Sequence, residues 1–150
     1  MREILFRGKR IDNGKWVQGY LFQIWDDAFI LWGTTNDVPN MIKVIPETVG
    51  QYTGLKDKNG KKIFEGDIVR YIYEPGKGFW NANQLSVIRW GKTGYTMDGI
   101  FGTNKYACMS GQLCTIPFDQ ESTNIQEFEV IGNIHDNPEL ICEHKDTKGE

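Results

Sequence analysis

Short runs of aromatic and β-branched residues alternate along this chain with glycine, asparagine and aspartate, and that alternation restricts the possible folds most. Runs such as KWVQGYLF (15–22) and DAFILW (27–32) have the length and composition of β-strands. Glycine occurs 17 times and proline only 5 times, so chain reversals are frequent and long helices are not indicated. The sequence therefore predicts a mainly β protein.

Three short polar pairs are predicted to reverse the chain. Asn13-Gly14 lies between the strand-like runs EILFRG (3–8) and KWVQGYLF (15–22). Asn59-Gly60 lies within GLKDKNGKKIFEGDIVRY, residues 54 to 71. An Asn-Gly pair favours a type I′ hairpin turn because both residues tolerate a positive φ, and we expect that geometry at Asn59-Gly60. Gly66-Asp67 predicts a further bend directly before the next strand. The chemistry expected of all three pairs is conformational.

The strand DIVRYIY, residues 67–73, is amphipathic in the sequence. Val69, Tyr71 and Tyr73 form its more apolar side, so we expect that side to face the core. Ile68 lies on the opposite side, together with Arg70. The pattern predicts one buried and one more exposed face for this strand.

One segment has helical signals. In HDNPELICEHK, Asp136 or Asn137 can cap a helix and Pro138 suits its first turn. The sequence therefore predicts a short C-terminal helix. Residues 146–150 are expected to form a flexible tail.

The lysine-rich stretch does not fit a metal or phosphate loop. An EF-hand loop that begins at Asp57 would place Lys61 and Lys62 where an oxygen ligand and a glycine are needed, and Ile68 where a glutamate is needed. The Gly-Lys-Ser/Thr ending of a P-loop is also missing. No cofactor is predicted for this segment.

The cysteines do not have the spacing of a structural zinc site. Cys108 and Cys114 are separated by five residues, and Cys142 precedes His144 by two positions, whereas zinc sites favour closer cysteine pairs. An odd count of 3 cysteines favours free thiols in a reducing compartment. No metal is predicted.

The sequence offers few residues that suit catalysis. His135 is followed directly by Asp136, but adjacent residues of an extended segment point to opposite faces, so a direct relay between them is not expected. An enzyme would need these two side chains to converge with Glu65 in a pocket. The prediction is a non-enzymatic protein without catalytic residues.

Charge and hydropathy indicate a cytoplasmic protein. The net charge is −3 and the pI about 5.4, so the molecule as a whole does not attract polyanions. The chain has no run of apolar residues long enough to span a bilayer, and MREILFRGKR lacks the apolar segment of a secretion signal. No membrane association is predicted.

Local basic clusters leave an alternative function open. Lysine-rich and arginine-rich stretches near the first two predicted hairpins could contact nucleic acid, with tryptophans as stacking surfaces. The residues concerned are Arg7, Lys9, Arg10, Lys56, Lys58, Lys61 and Lys62. A lysine-rich turn is more often simply solvated, so this function is the alternative.

Three motifs carry a resemblance to a known family. They are FRGKRIDNGKWVQGYL (6–21), VIPETVGQYTGLKDKNGKKIFEGDIVRY (44–71) and FEVIGNIHDNPEL (128–140). In their order and amino-acid sequence they closely resemble the YopX-like family of small proteins of bacteriophages and prophages. The resemblance extends over residues 2 to 142. The resemblance implies an origin in a phage or prophage, an SH3-type β-barrel and no established catalytic residues.

Together these observations predict the domain organisation. We expect one YopX-like domain over residues 1–145, with an N-terminal β-hairpin region (1–55) packed on a barrel (56–142). We expect the protein to act in the host cytoplasm through contacts with host or phage proteins. It has many strands and turns available for self-association, which favours a homo-oligomer.

Overall fold

Antiparallel strands dominate the structure, a computed structural model that describes residues 3–71, 85–91, 94–99, 115–117 and 128–142. This confirms the mainly β prediction. The described residues form two sheets and no closed barrel, so the SH3-type barrel stays a prediction. The chain divides into two compact units, Met1–Gly54 and Leu55–Glu150. The predicted flexible tail lies outside the described residues.

Five strands build the sheet of the first unit. They are β1 (Phe6–Lys9), β2 (Trp16–Ile24), β3 (Asp27–Thr35), β4 (Val38–Val44) and β5 (Gly50–Lys56), whose last two residues belong to the second unit. Their order is β4-β3-β2-β1-β5, and the pairs with a described register are antiparallel. A 3₁₀ helix, Pro46–Thr48, lies between β4 and β5.

The core of the first unit lies on one face of this sheet. Ala28, Ile30 and Val44 are fully buried there. Partly buried hydrophobic side chains pack against them: Phe6, Val17, Leu21, Ile42 and Val49. At Gly19 a Cβ atom would lie 2.0 Å from the carbonyl oxygen of Leu31, so only glycine allows this close approach of β2 to β3.

The sheet curls until its outer strand meets the segment that follows β1. Arg10 forms an isolated antiparallel bridge with Val44. The Ile11 N–H donates to the Lys43 carbonyl at 3.2 Å, and the Ile45 N–H donates to the Lys9 carbonyl at 2.8 Å. One end of the β4 edge is thereby paired.

The type I′ geometry expected at Asn59-Gly60 is wrong, since Gly60 has a φ of +79° but Asn59 is not in the positive region. The Gly60 N–H donates to the Asp57 carbonyl (3.0 Å) and the Asp57 N–H to the Lys61 carbonyl (2.8 Å). This is a turn followed by one residue with positive φ, a common three-residue hairpin loop.

Two adjacent positive φ values occur instead at Asn36 (51°) and Asp37 (63°), which join β3 to β4. Thr35 pairs with Val38, so these two residues form the whole loop. By composition, GTTNDVPN (33–40) would be expected to form a polar loop. Both strands extend into it because asparagine and aspartate tolerate the left-handed conformation.

The second unit contains the other described strands and one helix. They are β6 (Lys62–Phe64), β7 (Asp67–Tyr71), β8 (Leu85–Gly91), β9 (Gly94–Gly99), β10 (Thr115–Pro117), β11 (Phe128–Asn133) and α1 (Glu139–Cys142). The sheet order is β10-β9-β8-β7-β11. Helix α1 confirms the predicted short C-terminal helix. No helix in the described parts of the chain is long and apolar enough to cross a membrane.

Hydrophobic clusters cover both faces of this second sheet. Val69 is buried with Ile63, Ile88 and Tyr95, whereas Ile68 is buried with Val87. The expectation of one more exposed face at β7 is therefore wrong for Ile68. Partly buried side chains from β11, the turn after it and α1 cover the face that carries Ile68 and Val87: Ile131, Ile134, Leu140 and Ile141.

Candidate protein-binding surface

The face of β2, β3 and β4 that lies opposite the core of the first unit is also apolar. Tyr20 stands opposite Leu31, which stands opposite Met41, and Phe22 stands opposite Phe29. Because successive residues of a strand point to opposite faces, these side chains share the face away from Ala28 and Ile30. We call this surface the aromatic face, with the members Tyr20, Phe22, Phe29, Leu31, Trp32 and Met41.

The aromatic face is open to solvent. Tyr20 is 68% exposed, Trp32 56%, Met41 49% and Phe22 43%. The Phe22 and Phe29 rings pack across the strands with their centroids 6.4 Å apart. Contiguous exposed apolar surface of this kind marks interaction sites, because leaving it in water costs free energy.

A groove lies at one end of the aromatic face, with a volume of about 420 Å³. Tyr20, Leu31, Trp32 and Pro39 are among its apolar lining residues. Glu3, Gln18 and Thr34 supply its polar groups. The size falls in the range of about 300–1,000 Å³ that is usual for binding pockets. Trp32 reaches this end because a bulge interrupts the register between Leu31 and Gly33.

The β2–β3 hairpin tip lies at the other end of the aromatic face. Trp25 is 95% exposed and has a φ of +52°. A positive φ is rare for a bulky residue and costs about 1 kcal/mol or more. Beside it, the Lys43 ammonium lies 2.9 Å from the Asp27 carboxylate. The chain thus holds a large apolar side chain in water on a strained backbone.

Three of the predicted nucleic-acid residues, Arg7, Lys9 and Arg10, have local structural roles. The Arg7 side chain is buried, with its guanidinium carbon 4.7 Å from the centre of the Trp16 ring, and the Lys9 ammonium lies 5.6 Å from the same ring. Arg10 donates two hydrogen bonds to the Asp12 carboxylate, at 2.9 and 2.6 Å. These bonds lower the pKa of Asp12 and raise the pKa of Arg10.

The predicted lysines of the second unit surround one hairpin. Lys56, Lys58 and Lys61 are exposed, and Lys62 is half-buried. Between them the Asp57 carboxylate is buried, and it accepts backbone N–H groups of its own hairpin. The hairpin therefore presents cations outward and holds its carboxylate inside.

The two glycine-containing bends have backbone roles. Gly14 has a φ of +69°, and the Asn13 side-chain oxygen accepts the Lys15 N–H at 2.9 Å. Gly66 has a φ of +88°, and its N–H donates to the Ile88 carbonyl at 2.8 Å. The Asp67 carboxylate is buried and accepts the Phe64 N–H at 2.8 Å. Each of these side chains orders a turn.

The His135-Asp136 pair belongs to a polar network around Asn133. The Asn133 side-chain oxygen accepts the N–H groups of both residues, at 3.0 and 2.9 Å. Its amide donates to the Asp136 carboxylate at 3.1 Å. A Cβ at Gly132 would lie 2.3 Å from the Asn137 side-chain oxygen, so the network also requires that glycine. These contacts order the turn between β11 and α1.

Metal ligands do not cluster in the part of the chain that the structure describes, where no group of three or more histidine, cysteine or acidic side chains could hold an ion. Cys108, Cys114 and His144 lie outside the described residues.

The family is decided by a match along almost the whole chain. The family described as YopX protein matches residues 5–142. The chain belongs to the YopX protein family.

A solved structure shares the fold of this YopX-family chain. It is the crystal structure of protein EF1440 from Enterococcus faecalis, with 21% sequence identity and a TM-score of 0.52. The similarity covers 94% of this chain and 99% of EF1440. Among curated proteins, none matches the chain. The comparisons therefore establish family and fold.

Sequence reasoning on this YopX-family chain missed the aromatic face. It considered tryptophans only as stacking surfaces for nucleic acid. A signal was present, since both alternating sets of β2 are apolar: Val17 and Leu21 on one side, Tyr20, Phe22 and Ile24 on the other. The sequence alone does not say which set stays exposed.

Proposed function

We propose that this YopX-family protein is non-enzymatic and acts through protein contacts, with the aromatic face as a surface for self-association. The observation that carries the proposal is the exposed row of apolar side chains across β2, β3 and β4. Obligate and permanent interfaces resemble a hydrophobic core cut in half, and this face has that composition. The occupant that we propose is a second copy of the chain.

The exposed area supports a stable dimer. The aromatic side chains of Tyr20, Phe22, Trp25 and Trp32 are between 43% and 95% exposed. Since a buried aromatic side chain covers about 150–250 Å², they leave on the order of 500 Å² in solvent. A standard interface needs about 800 Å² per partner. Neighbouring exposed side chains on the same face supply the remainder: Ile24 and Met41.

The edge of β4 is a poorer site for self-association than the face. Pro39 removes one backbone donor, and Lys43 places a charge on this edge, two features that discourage strand pairing. The Lys43 carbonyl already accepts the Ile11 N–H. Stacking of faces is therefore favoured over extension of the sheet.

The setting of this activity is part of the proposal. The YopX-like motifs favour an origin in a phage or prophage and a place in the host cytoplasm. An SH3-type barrel would suit a binding role, because such small barrels carry function on loops and exposed strand faces. Host or phage proteins are further candidate partners.

Sedimentation velocity over a range of micromolar concentrations tests self-association. We expect a dimer for the wild type and a monomer for the Tyr20→Ser/Trp32→Ser variant, because the variant removes two of the most exposed members of the face. Ile11→Ser is the matched control, since Ile11 is an exposed hydrophobic residue in the β1–β2 loop. A wild type that stays monomeric at every concentration would refute the proposal.

Nucleic-acid binding is the alternative function. Lys58 and Lys61 are exposed on a hairpin loop of the second unit, where they could contact phosphates. Arg7 and Arg10 support it less, because one is buried against Trp16 and the other is paired with Asp12.

A further inference from the structure

Trp25 is a bulky residue at a loop position where the backbone geometry favours glycine. It lies at the tip of the β2–β3 hairpin, almost fully exposed, with a positive φ that glycine would adopt without strain. Leaving an indole in water and straining its backbone both cost free energy in an isolated chain. Tryptophan is also the residue type most enriched among binding hot spots. These properties suit a side chain that inserts into a partner.

A groove large enough for the Trp25 side chain lies on the same surface. The groove at Tyr20, Leu31 and Trp32 opens at the end of the aromatic face away from the tip. Its volume of about 420 Å³ accommodates an indole ring between aromatic and aliphatic walls. Trp25 and Tyr20 are five residues apart, or about 17 Å along the strand direction. Trp25 therefore does not reach the groove of its own chain.

A two-fold axis brings Trp25 of each copy to the Tyr20–Trp32 groove of the other copy. If two copies stack their aromatic faces in antiparallel orientation, with the axis near Phe22 and Phe29, position 25 of each copy lies over position 20 of the other. We propose that the protein forms a closed dimer in which each Trp25 inserts into the Tyr20–Trp32 groove of a second copy. This rests on the proposed self-association and specifies its geometry. Both contacts form at once because a two-fold interface is self-complementary.

Charge supports the same arrangement. The rotation that places Trp25 over the groove carries Asp26 toward the start of β2 in the second copy, where Arg7 and Lys9 lie over Trp16. Glu3 is the acidic residue that lines the groove. Among the residues described at this end, these two cations face one acid, so Asp26 meets a net attractive field.

Replacement of Trp25 provides the first test, in which sedimentation equilibrium measures the dimer dissociation constant. We expect Trp25→Gly to raise the dimer dissociation constant about thirtyfold or more, as loss of a hot spot does. The thermal midpoint measured at a concentration where both proteins are monomeric should not fall, because glycine accepts the positive φ. Trp25→Phe should restore part of the affinity, and Ile11→Ser should change nothing. An unchanged dissociation constant for Trp25→Gly would overturn the proposal.

Cross-linking distinguishes this geometry from other dimers. In a background with Cys108, Cys114 and Cys142 replaced by serine, Asp26→Cys combined with Gln18→Cys should give covalent dimers with a short bismaleimide. Asp26→Cys alone should not, because the two tips would lie about 23 Å apart along the strand direction. Cross-links from Asp26→Cys alone would show that the tips meet, which overturns this geometry and leaves self-association intact. A protein that stays monomeric would overturn both.

Discussion

At the scale of single residues, the Asp57 carboxylate stabilises more of the second unit than its position in a lysine-rich loop suggests. One of its oxygens accepts the N–H groups of Asn59 and Lys61, at 2.8 and 2.9 Å. The other accepts the N–H of Val130 in β11, at 3.0 Å. A buried carboxylate is stable when several donors replace its lost hydration, and here one side chain fixes both a hairpin and a distant strand.

Asp57→Asn should destabilise the protein by about 2 kcal/mol, because the amide cannot accept on both sides and leaves a buried backbone donor unsatisfied. Urea denaturation followed by circular dichroism measures the change. Asp12→Asn is the matched control, since Asp12 is an exposed carboxylate in the β1–β2 loop, and it should change the free energy of unfolding by less than about 0.5 kcal/mol. Equal effects of the two substitutions would contradict this role of Asp57.

At the scale of elements, the contact of β2 with β3 depends on Gly19. The hydrogen that glycine carries in place of Cβ leaves room for the Leu31 carbonyl, and any side chain would push the strands apart. The same strands carry the aromatic face. A shift between them would therefore disturb both the core side and the exposed side of the sheet.

Gly19→Ala is expected to cost about 3 kcal/mol, through overpacking against a backbone atom that has no room to move. Gly33→Ala lies in the same sheet, where a Cβ would meet no atom within 4 Å, and should cause no loss of stability. Thermal unfolding of the two variants makes the comparison. A similar drop in the melting temperature of both would mean that the close approach at Gly19 is not what matters.

The elements also show how far the sequence could be used. The strand-rich pattern, the first hairpin and the short α1 helix were predictable because turn residues and apolar runs act locally. The type I′ turn was expected at Asn59-Gly60 and occurs at Asn36-Asp37. The difference follows from Asp57, whose side chain binds two N–H groups of its loop and favours another turn. Side-chain hydrogen bonds of this kind are not visible in dipeptide preferences.

Burial at β7 was less predictable for a related reason. Alternation in DIVRYIY indicated one apolar face, but Ile68 and Val69 are both fully buried. The cover for Ile68 comes from residues far along the chain, including Leu140 and Ile141. A local pattern cannot report what a distant segment covers. The aromatic face was missed for the opposite reason. Ile68 was expected on a more exposed face and is buried, whereas these side chains look like core residues and are exposed in the described structure.

At the scale of the whole molecule, a net charge of −3 limits what the exposed lysines can do. An acidic protein binds nucleic acid only where local cations overcome the overall repulsion. Lys58 and Lys61 are exposed candidates that lie on either side of the Asn59-Gly60 turn.

If nucleic acid is the partner, Lys58→Gln/Lys61→Gln should weaken the binding of a duplex and lower the salt slope by about one per lysine. Fluorescence anisotropy between 50 and 200 mM salt measures both quantities. Lys15→Gln, at an exposed lysine of the β1–β2 loop, is the control. Absence of binding at the lowest salt, or binding that does not respond to salt, would remove this alternative.

The bond between Asp57 and Val130 has a consequence for how the protein is made. On the ribosome, the described strand partners of β1 to β4 lie within the unit Met1–Gly54, so this part of the nascent chain can mature before the second unit. The hairpin at Asp57 must wait for 73 further residues before its last donor exists. We therefore expect vectorial synthesis to leave the second unit dependent on chaperones for longer than the first.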